Sequence, residues 1–167
     1  MRWTCLSRTD GMIPEDAVLM KEAGCKKVFF GLESGSNDVL KLMNKKTTVE
    51  TAERTLDFFS RCGIETAGFF MVGYPGESRE TVETTLRWAL TLPLDEISFT
   101  VPFPLPDTKL AKRISGLQAD ADWRCESENR LVYASDFDEE YLQRRIEETY
   151  ACFAARKNRG AMDRSST

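Results

Sequence analysis

The chain has 167 residues, of which 41% are hydrophobic, and it carries a net charge of −4 without a single histidine. That length and apolar content suit one globular domain with a real core, and an acidic chain without a Lys/Arg cluster lacks the electrostatic footprint for nucleic acid or an anionic membrane surface. The absence of histidine excludes imidazole acid–base catalysis, Ser-His and Cys-His nucleophiles and the usual zinc sites within this chain.

Cysteine usage and the apolar runs narrow the class of protein further. The five cysteines are far apart and never form a C-x-x-C arrangement. We therefore expect neither a disulfide framework nor a zinc site, and we interpret most of them as small buried apolar residues. The longest apolar runs are only as long as a strand, and the N-terminus lacks the pattern of a signal peptide. These features predict a cytoplasmic protein with no membrane span.

Predicted strands and helices alternate along the first two thirds of the chain. Strands separated by helices of this length predict parallel pairing with right-handed crossovers. The expected fold is α/β, a partial TIM-like (β/α) barrel of about four parallel βα units with helices on its outer face. The apolar runs place the strands at residues 2–7, 28–32, 65–72 and 96–101. The helix-start signals are Pro14 at a first helical position, Ser36 and Ser78 as N-caps, and Thr47 with Glu50 at capping-box spacing.

The pattern changes after residue 110. Residues 115–122 are polar and turn-rich, residues 131–133 suggest a short extra strand, and a last helix is predicted at about residues 138–157. In that helix Leu142, Ile146, Tyr150 and Phe153 form one apolar stripe, which should dock on the barrel wall. The predicted organisation is a barrel part at residues 1–112, a C-terminal extension at 113–157 and a disordered tail at 158–167.

Two predicted strand ends carry the same combination of glycines and one acidic residue. Gly31-Leu32-Glu33-Ser34-Gly35-Ser36 ends one strand, and Gly73-Tyr74-Pro75-Gly76-Glu77-Ser78 follows the next one. Glycines free the backbone beside the carboxylate, which suits close approach of a ligand rich in hydroxyl or amino donors. In parallel α/β barrels the loops after the strands build the active site, so both segments should lie on one face, together with Arg8, Asp10 and residues 102–108.

The chain resembles the SAM-binding half of radical SAM enzymes. The likeness is greatest to the branch that often carries a cobalamin-binding domain upstream, with Elongator-like, MiaB-like and NifB-like cores. The resemblance runs from about Trp3 to Leu110, and six short motifs carry it in the family's order. They are Trp3 with Arg8 and Asp10, Met20–Cys25, Gly31–Ser36, Lys45 with Thr47-Thr48, Gly73–Ser78 and Pro104–Leu110.

The resemblance implies a set of SAM-binding residues. Glu33 takes the position that contacts polar groups of SAM, where it would accept hydrogen bonds from the ribose hydroxyls or the ammonium group. The segment from Gly73 to Ser78 is the one that the family places against the adenine. The whole predicted set is Arg8, Glu33, Ser34, Gly35, Gly73, Pro75, Gly76, Glu77 and Pro102.

Each charged residue of that set has a competing structural interpretation. Glu33 could instead cap the Ser36 helix or pair with a neighbouring lysine, and Glu77 could be favoured by the dipole of a first helical turn. Arg8 could meet the SAM carboxylate or form a surface salt bridge. Asp107 departs from the family's usual glycine in the Pro-Gly-Thr turn, which puts the path of that loop in question, although aspartate tolerates turn conformations better than most residues.

The implied chemistry is that of the parent family. A 4Fe-4S cluster reduces SAM to methionine and a 5′-deoxyadenosyl radical, which abstracts a hydrogen atom from a small-molecule substrate that this sequence does not identify. The family's C-x-x-x-C-x-x-C cluster motif is absent from this chain, so the cluster's ligands would lie elsewhere and the chain is expected to be a fragment. The resemblance adds cobalamin as an optional cofactor of the full-length parent.

Two further functions and one property remain as expectations. The segment could be a non-catalytic remnant or interaction module, or a metal-free barrel enzyme that works through Glu33 and Glu77. The first strand, with Trp3, Cys5 and Leu6 and no charge between them, would present an unpaired apolar edge. We therefore expect self-association, or pairing with a missing half of the barrel, and a lysine at Cys5 is expected to reduce it.

Overall fold

A computed structural model describes residues 1–105, 107–114 and 131–165 of the chain. It contains one parallel sheet in which the strands lie in the order of the sequence, so the α/β half-barrel predicted from the sequence is confirmed. Each neighbouring pair is parallel and is joined by a helical crossover. The strands are β1 (Trp3–Ser7), β2 (Cys25–Glu33), β3 (Glu65–Met71) and β4 (Glu96–Thr100).

Six helices occupy the described residues, and most of them begin at a polar side chain that caps the first turn. Ser36 accepts a hydrogen bond from the backbone of Val39, and Ser78 forms a capping box with Thr81. Both N-caps agree with the sequence prediction. The helices are α1 (Pro14–Glu22), α2 (Asn37–Leu42), α3 (Val49–Arg61), α4 (Arg79–Thr91), α5 (Lys109–Arg113) and α6 (Glu139–Ser165).

The two faces of the sheet differ in burial. On β2, Val28, Phe30 and Leu32 are fully buried, whereas Phe29 between them is only partly so. The buried side chains face the helices, where the Phe30 ring meets Phe59 of α3 edge to face at 5.1 Å. The core therefore lies between the sheet and its helices, and the opposite face of the sheet is the more open one.

The C-terminal helix completes this core. Leu142, Ile146 and Phe153 of α6 belong to the same buried cluster as the helix-facing side chains of the strands. The hydroxyl group of Tyr150 accepts a hydrogen bond from the backbone N–H of Phe99 at 2.9 Å, which ties α6 to β4. The predicted docking of this stripe on the barrel wall is confirmed.

Three local predictions differ from the structure or fall outside it. Residues 131–133 are not a strand: their path is irregular, and the N–H of Leu131 donates to the Glu139 side chain instead of to a sheet. Helix α6 continues to Ser165, so the backbone at 158–165 is helical where the sequence predicts a disordered tail. Its single interior glycine costs only about 1 kcal/mol relative to alanine, which a helix already under way tolerates. The predicted turn-rich segment 115–122 lies outside the described residues.

The predicted cap of α3 is one residue too early. Thr48, not Thr47, is the N-cap, and its hydroxyl oxygen accepts a hydrogen bond from the N–H of Thr51. The Thr47 hydroxyl instead lies 2.8 Å from that of Thr9, near the start of the loop that follows β1. Either threonine can cap a helix, and the tertiary contact of Thr47 with Thr9 leaves Thr48 to do so. None of the helices in the described part of the chain has both the length and the apolar character needed to cross a membrane.

Candidate functional site

The loops that follow the four strands lie at one edge of the sheet because all strands run in the same direction. The predicted site residues occupy these loops: Arg8 follows β1, Glu33 ends β2, Gly73 follows β3 and Pro102 follows β4. The parallel topology therefore brings the predicted site residues to the same edge of the sheet, at the carboxyl ends of the strands.

Glu33 has the most unusual backbone of the four. Its φ is +65°, in the left-handed region that non-glycine residues rarely adopt, and the pairing of β2 with β3 shifts register between Gly31 and Glu33. A Cβ atom on Gly31 would lie 2.9 Å from Oε1 of Glu33, so the glycine leaves room for this carboxylate. The bulge and the glycine thus turn the Glu33 side chain back over its own strand.

The Glu33 carboxylate has one partner among the described side chains. Nζ of Lys45 donates to Oε1 of Glu33 at 2.6 Å, and the Glu33 side chain is 14% exposed. The pairing with a lysine that the sequence left open is therefore present. The lysine comes from the loop between α2 and α3, so it holds the carboxylate in place at the carboxyl end of the sheet.

Ser34 and Gly35 serve the packing of the loop rather than the open face. The Ser34 hydroxyl is fully buried and lies 3.0 Å from that of Thr85 on α4, which also accepts the Gly35 N–H. A Cβ atom on Gly35 would come within 2.9 Å of Trp88 Cβ. The sequence predicted ligand contacts at these residues, but the side chain of Ser34 is directed to the helix.

The turn after β3 is built around backbone conformations that favour glycine. Gly73 has φ of +80° and Gly76 has φ of +94°, with Pro75 between them. Tyr74 and Glu77 close the turn, because the N–H of each donates to an oxygen of the other at 2.8 Å. The predicted adenine-binding segment is therefore a rigid turn whose backbone can approach a flat ring closely.

Glu77 is part of the inside of this turn. It is only 3% exposed, and its Oε1 atom is buried with no hydrogen-bond partner in the described structure. Burial raises the pKa of the Glu77 carboxyl to about 7, although hydrogen bonds from the turn's backbone act in the opposite direction. Glu77 precedes the N-cap Ser78, so the predicted role in a first helical turn is wrong, and Glu80 takes that position.

Arg8 forms the surface salt bridge that the sequence left open. Its Nε and Nη2 atoms donate to the two carboxylate oxygens of Asp10 at 2.7 and 2.6 Å, and the side chain is 68% exposed. The same residues line an open cavity of about 550 Å³ beside Leu6 and Met12. The Arg8 guanidinium is therefore paired with Asp10 and still accessible to solvent.

The loop after β4 keeps a glycine-like turn without the glycine. Asp107 adopts φ of +63°, in the left-handed region that favours glycine and that aspartate tolerates better than most residues. Thr108 next to it caps α5 by accepting a hydrogen bond from Ala111. Pro102 is buried, while Pro106 lies outside the described residues. Asp107 therefore places an exposed carboxylate in a left-handed turn.

An aromatic pair on the open face was not predicted from the sequence. The rings of Phe29 and Phe69 stack with centroids 5.7 Å apart and an angle of 13° between them, and Leu6 on the same face is 78% exposed. The period-2 alternation along the apolar runs could have revealed these side chains, because Phe29 and Phe69 point away from their buried neighbours. Together they give the face a flat apolar floor below the polar loop residues.

A 4Fe-4S cluster does not fit the residues that the structure describes. No group of three or more His, Cys, Asp or Glu side chains that could hold a metal occurs among them. The described cysteines are all free, and the pKa of the Cys5 thiol is raised by burial and by its neighbour Cys25. These residues therefore offer binding groups for an organic ligand and none for an iron–sulfur cluster.

Comparison with known proteins gives a family match and several similar proteins. The profile of the Radical SAM superfamily matches residues 2–89, which is more than half of the chain. An uncharacterized methyltransferase of Pyrococcus horikoshii is 36% identical over 108 residues, which are 65% of this chain and 24% of that protein.

Solved structures show the same fold. TsrM of Kitasatospora setae, a radical S-adenosylmethionine methyltransferase solved with cobalamin and a 4Fe-4S cluster, superposes with a TM-score of 0.58 at 24% identity, over 63% of this chain and 21% of its own. The archaeal Elp3 of Methanocaldococcus infernus superposes with a TM-score of 0.59 at 20% identity, over 66% and 27%. The chain thus spans about a quarter of the length of the proteins that it matches.

Proposed function

The chain belongs to the Radical SAM superfamily, and we propose from this membership that it forms the SAM-binding face of a radical SAM enzyme. The observation that carries the proposal is the placement of Glu33. Its carboxylate is held at the carboxyl end of β2 by a left-handed backbone and by Lys45, and the turn from Gly73 to Glu77 follows the neighbouring strand β3 at the same edge of the sheet. A carboxylate beside a rigid glycine turn matches what a ribose and an adenine require.

Each part of the site has a proposed role toward SAM. Glu33 would accept hydrogen bonds from the ribose or from the ammonium group, in competition with Lys45. The backbone of Pro75 and Gly76 would lie against the adenine, and Arg8 would meet the SAM carboxylate by releasing Asp10. The stacked rings of Phe29 and Phe69 would form the apolar floor that keeps water from the reacting region.

The chemistry itself belongs to the cofactors. A reduced 4Fe-4S cluster held elsewhere would supply the radical chemistry together with SAM, and the described residues would orient SAM without ligating the iron. The cluster would be held by residues outside this chain. The substrate is a small molecule, and methyl transfer is the first reaction class to test, because the P. horikoshii protein and TsrM are methyltransferases. The cobalamin bound to TsrM makes a cobalamin-dependent parent part of the proposal.

The two other functions considered from the sequence have less support. A metal-free enzyme that pairs Glu33 with Glu77 requires both carboxylates on the open face, yet Glu77 is 3% exposed and bonded to its own turn. A non-catalytic binding module would keep the same SAM contacts and lack turnover. The two functions therefore predict different results only in an assay for turnover, with the chain supplied with a cluster-bearing partner.

Titration of SAM into the whole chain, followed by ligand-observed NMR, tests the proposal. Without the cluster to anchor the methionine end we expect millimolar affinity, roughly −4 kcal/mol. Glu33→Gln should weaken binding about tenfold, because a charge-assisted hydrogen bond is lost. Glu65→Gln is the matched control, since Glu65 is an exposed carboxylate at the opposite end of the sheet. Equal affinity for the two variants would remove Glu33 from the site, and no binding by the wild-type chain would refute the proposal.

A further inference from the structure

The peptide bond between Gly73 and Tyr74 is held from both of its polar ends. Its carbonyl oxygen accepts a hydrogen bond from the hydroxyl of Tyr133 at 2.6 Å. Its N–H donates to Oε2 of Glu77 at 2.8 Å. Rotation of this peptide plane would break both hydrogen bonds at once, and both partners are buried, at 4% and 3% exposure. The plane therefore has one stable orientation.

A peptide at this position needs such a restraint. Gly73 has φ of +80° and carries no side chain that would limit rotation. An added Cβ atom on Gly73 would lie 2.9 Å from Leu142 of α6 and 3.7 Å from Phe137, which comes just before that helix. The apolar start of α6 thus packs against the glycine from one side, but apolar contact does not orient a peptide dipole. Only the two hydrogen bonds do that.

Tyr133 keeps its proton under all ordinary conditions. Burial raises the pKa of the Tyr133 hydroxyl, and the neighbouring Glu77 carboxylate and Tyr74 raise it further. The hydroxyl is therefore always available as a donor to the Gly73 carbonyl. A phenolate would repel that carbonyl and release the turn.

We propose that Tyr133 is a positioning residue for SAM, which acts by fixing the Gly73–Tyr74 peptide and with it the turn that continues through Pro75 and Gly76. This inference rests on the proposed function, in which that turn lies against the adenine. It assigns a role in the cofactor site to a residue beyond the part of the chain that the superfamily profile matches, which ends at residue 89. The segment that carries Tyr133 is then part of the SAM site rather than a separate extension.

The Tyr133→Phe variant tests this proposal because it removes the hydroxyl and keeps the buried ring. Tyr150→Phe is the matched control: it also removes one tyrosine hydrogen bond to the backbone, the one that binds α6 to Phe99, without touching the turn. The readouts are the amide ¹H and ¹⁵N shifts of Tyr74, and the dissociation constant of SAM at a temperature where all the chains are folded by circular dichroism.

We expect Tyr133→Phe to shift the Tyr74 amide signal and to raise the dissociation constant for SAM about fivefold, the effect of one lost hydrogen bond. Tyr150→Phe should leave both readouts at their wild-type values. Wild-type affinity in Tyr133→Phe, with or without a shifted amide, overturns the positioning role while the proposed function stands. Absence of SAM binding by the wild-type chain overturns the proposed function and this inference together.

Discussion

Glu83 on α4 and Arg145 on α6 form a bidentate ion pair, in which Nε and Nη2 of the arginine donate to the two carboxylate oxygens at 2.6 and 2.7 Å. The hydroxyl of Tyr141 donates to the same carboxylate at 2.7 Å. Both charged side chains are about one quarter exposed, at 27% and 25%. The pair joins the helix that follows the Gly73–Glu77 turn to the C-terminal helix, so it supports the predicted site from outside.

The first prediction concerns the pH dependence of this pair. The hydrogen bonds from Arg145 lower the pKa of Glu83 from 4.5 to about 2. A depressed carboxyl pKa contributes stability that is present above pH 4.5 and is lost as the pH falls toward 2. We expect Glu83→Gln to lower the free energy of unfolding by about 2 kcal/mol at pH 7, after allowance for solvent screening, and by almost nothing near pH 2. Urea unfolding across this range measures the difference, and Glu80→Gln on the same helix is the control. An equal loss at both pH values would assign the effect to packing.

The second prediction concerns Glu77, whose contribution to stability changes with pH in the opposite direction. Its folded-state pKa is raised from 4.5 to about 7, so the folded chain holds a proton that the unfolded chain releases. The free energy of unfolding therefore falls as the pH rises from 4.5 to 7, by up to about 3 kcal/mol. Glu77→Gln cannot titrate and should flatten this slope, which urea unfolding at pH 5 and pH 8 would reveal. A slope that survives in the variant would mean that another group is responsible.

Much of the fold follows from local rules in the sequence. The alternation of apolar runs with capped helices predicts the four strands and their parallel pairing, because strands joined by helical crossovers of this length pair in parallel. Ser36 and Ser78 cap the helices expected of them. Phe137 and Leu142 have the spacing of a hydrophobic staple at the start of α6, and both lie within 4 Å of a Cβ atom built on Gly73.

The details of the site depend on contacts between distant segments, and these have no local signal. The partner of Glu33 is Lys45, from the loop between two helices, and Ser34 is bonded to Thr85, fifty-one residues away. The apolar neighbours of Tyr133 predict a strand, but its hydroxyl is bound to the backbone of Gly73. Sequence pattern predicts which loops meet, and tertiary packing decides which side chain faces the ligand.

The third prediction is that this chain will not assemble a 4Fe-4S cluster on its own. The described cysteines form no metal site with neighbouring Cys, His, Asp or Glu side chains, and the sequence has no closely spaced cysteine pair. After anaerobic reconstitution with iron and sulfide we expect no cluster absorption above that of a variant with all cysteines replaced by serine. Iron and sulfide at about one cluster per chain would show that cysteines from distant segments converge, and would contradict the proposal that the cluster's ligands lie outside this chain.

The last prediction concerns the edge of the sheet. Within the described residues β1 pairs only with β2, so its other side presents backbone N–H and C=O groups that are ready to pair with another strand. Leu6 on this strand is 78% exposed, next to the open face that carries Phe29 and Phe69. We expect the chain to self-associate at micromolar concentration, which sedimentation velocity would detect.

The structure also identifies the better variant with which to test this association. The sequence alone points to Cys5→Lys as the test variant. In the structure Cys5 packs against the core next to Cys25, so a lysine there would disturb the fold as well as the edge. Leu6→Lys places the charge on the exposed side of the same strand and should shift the sedimentation profile toward the 19.0 kDa monomer. Val18→Lys is the matched control, because Val18 is an exposed apolar residue on α1 and not on the edge strand. If both variants reduce the association equally, the change comes from general solubility and not from the edge. If the wild-type chain is already a monomer that unfolds cooperatively, the open edge is stable in water and the predicted association does not occur.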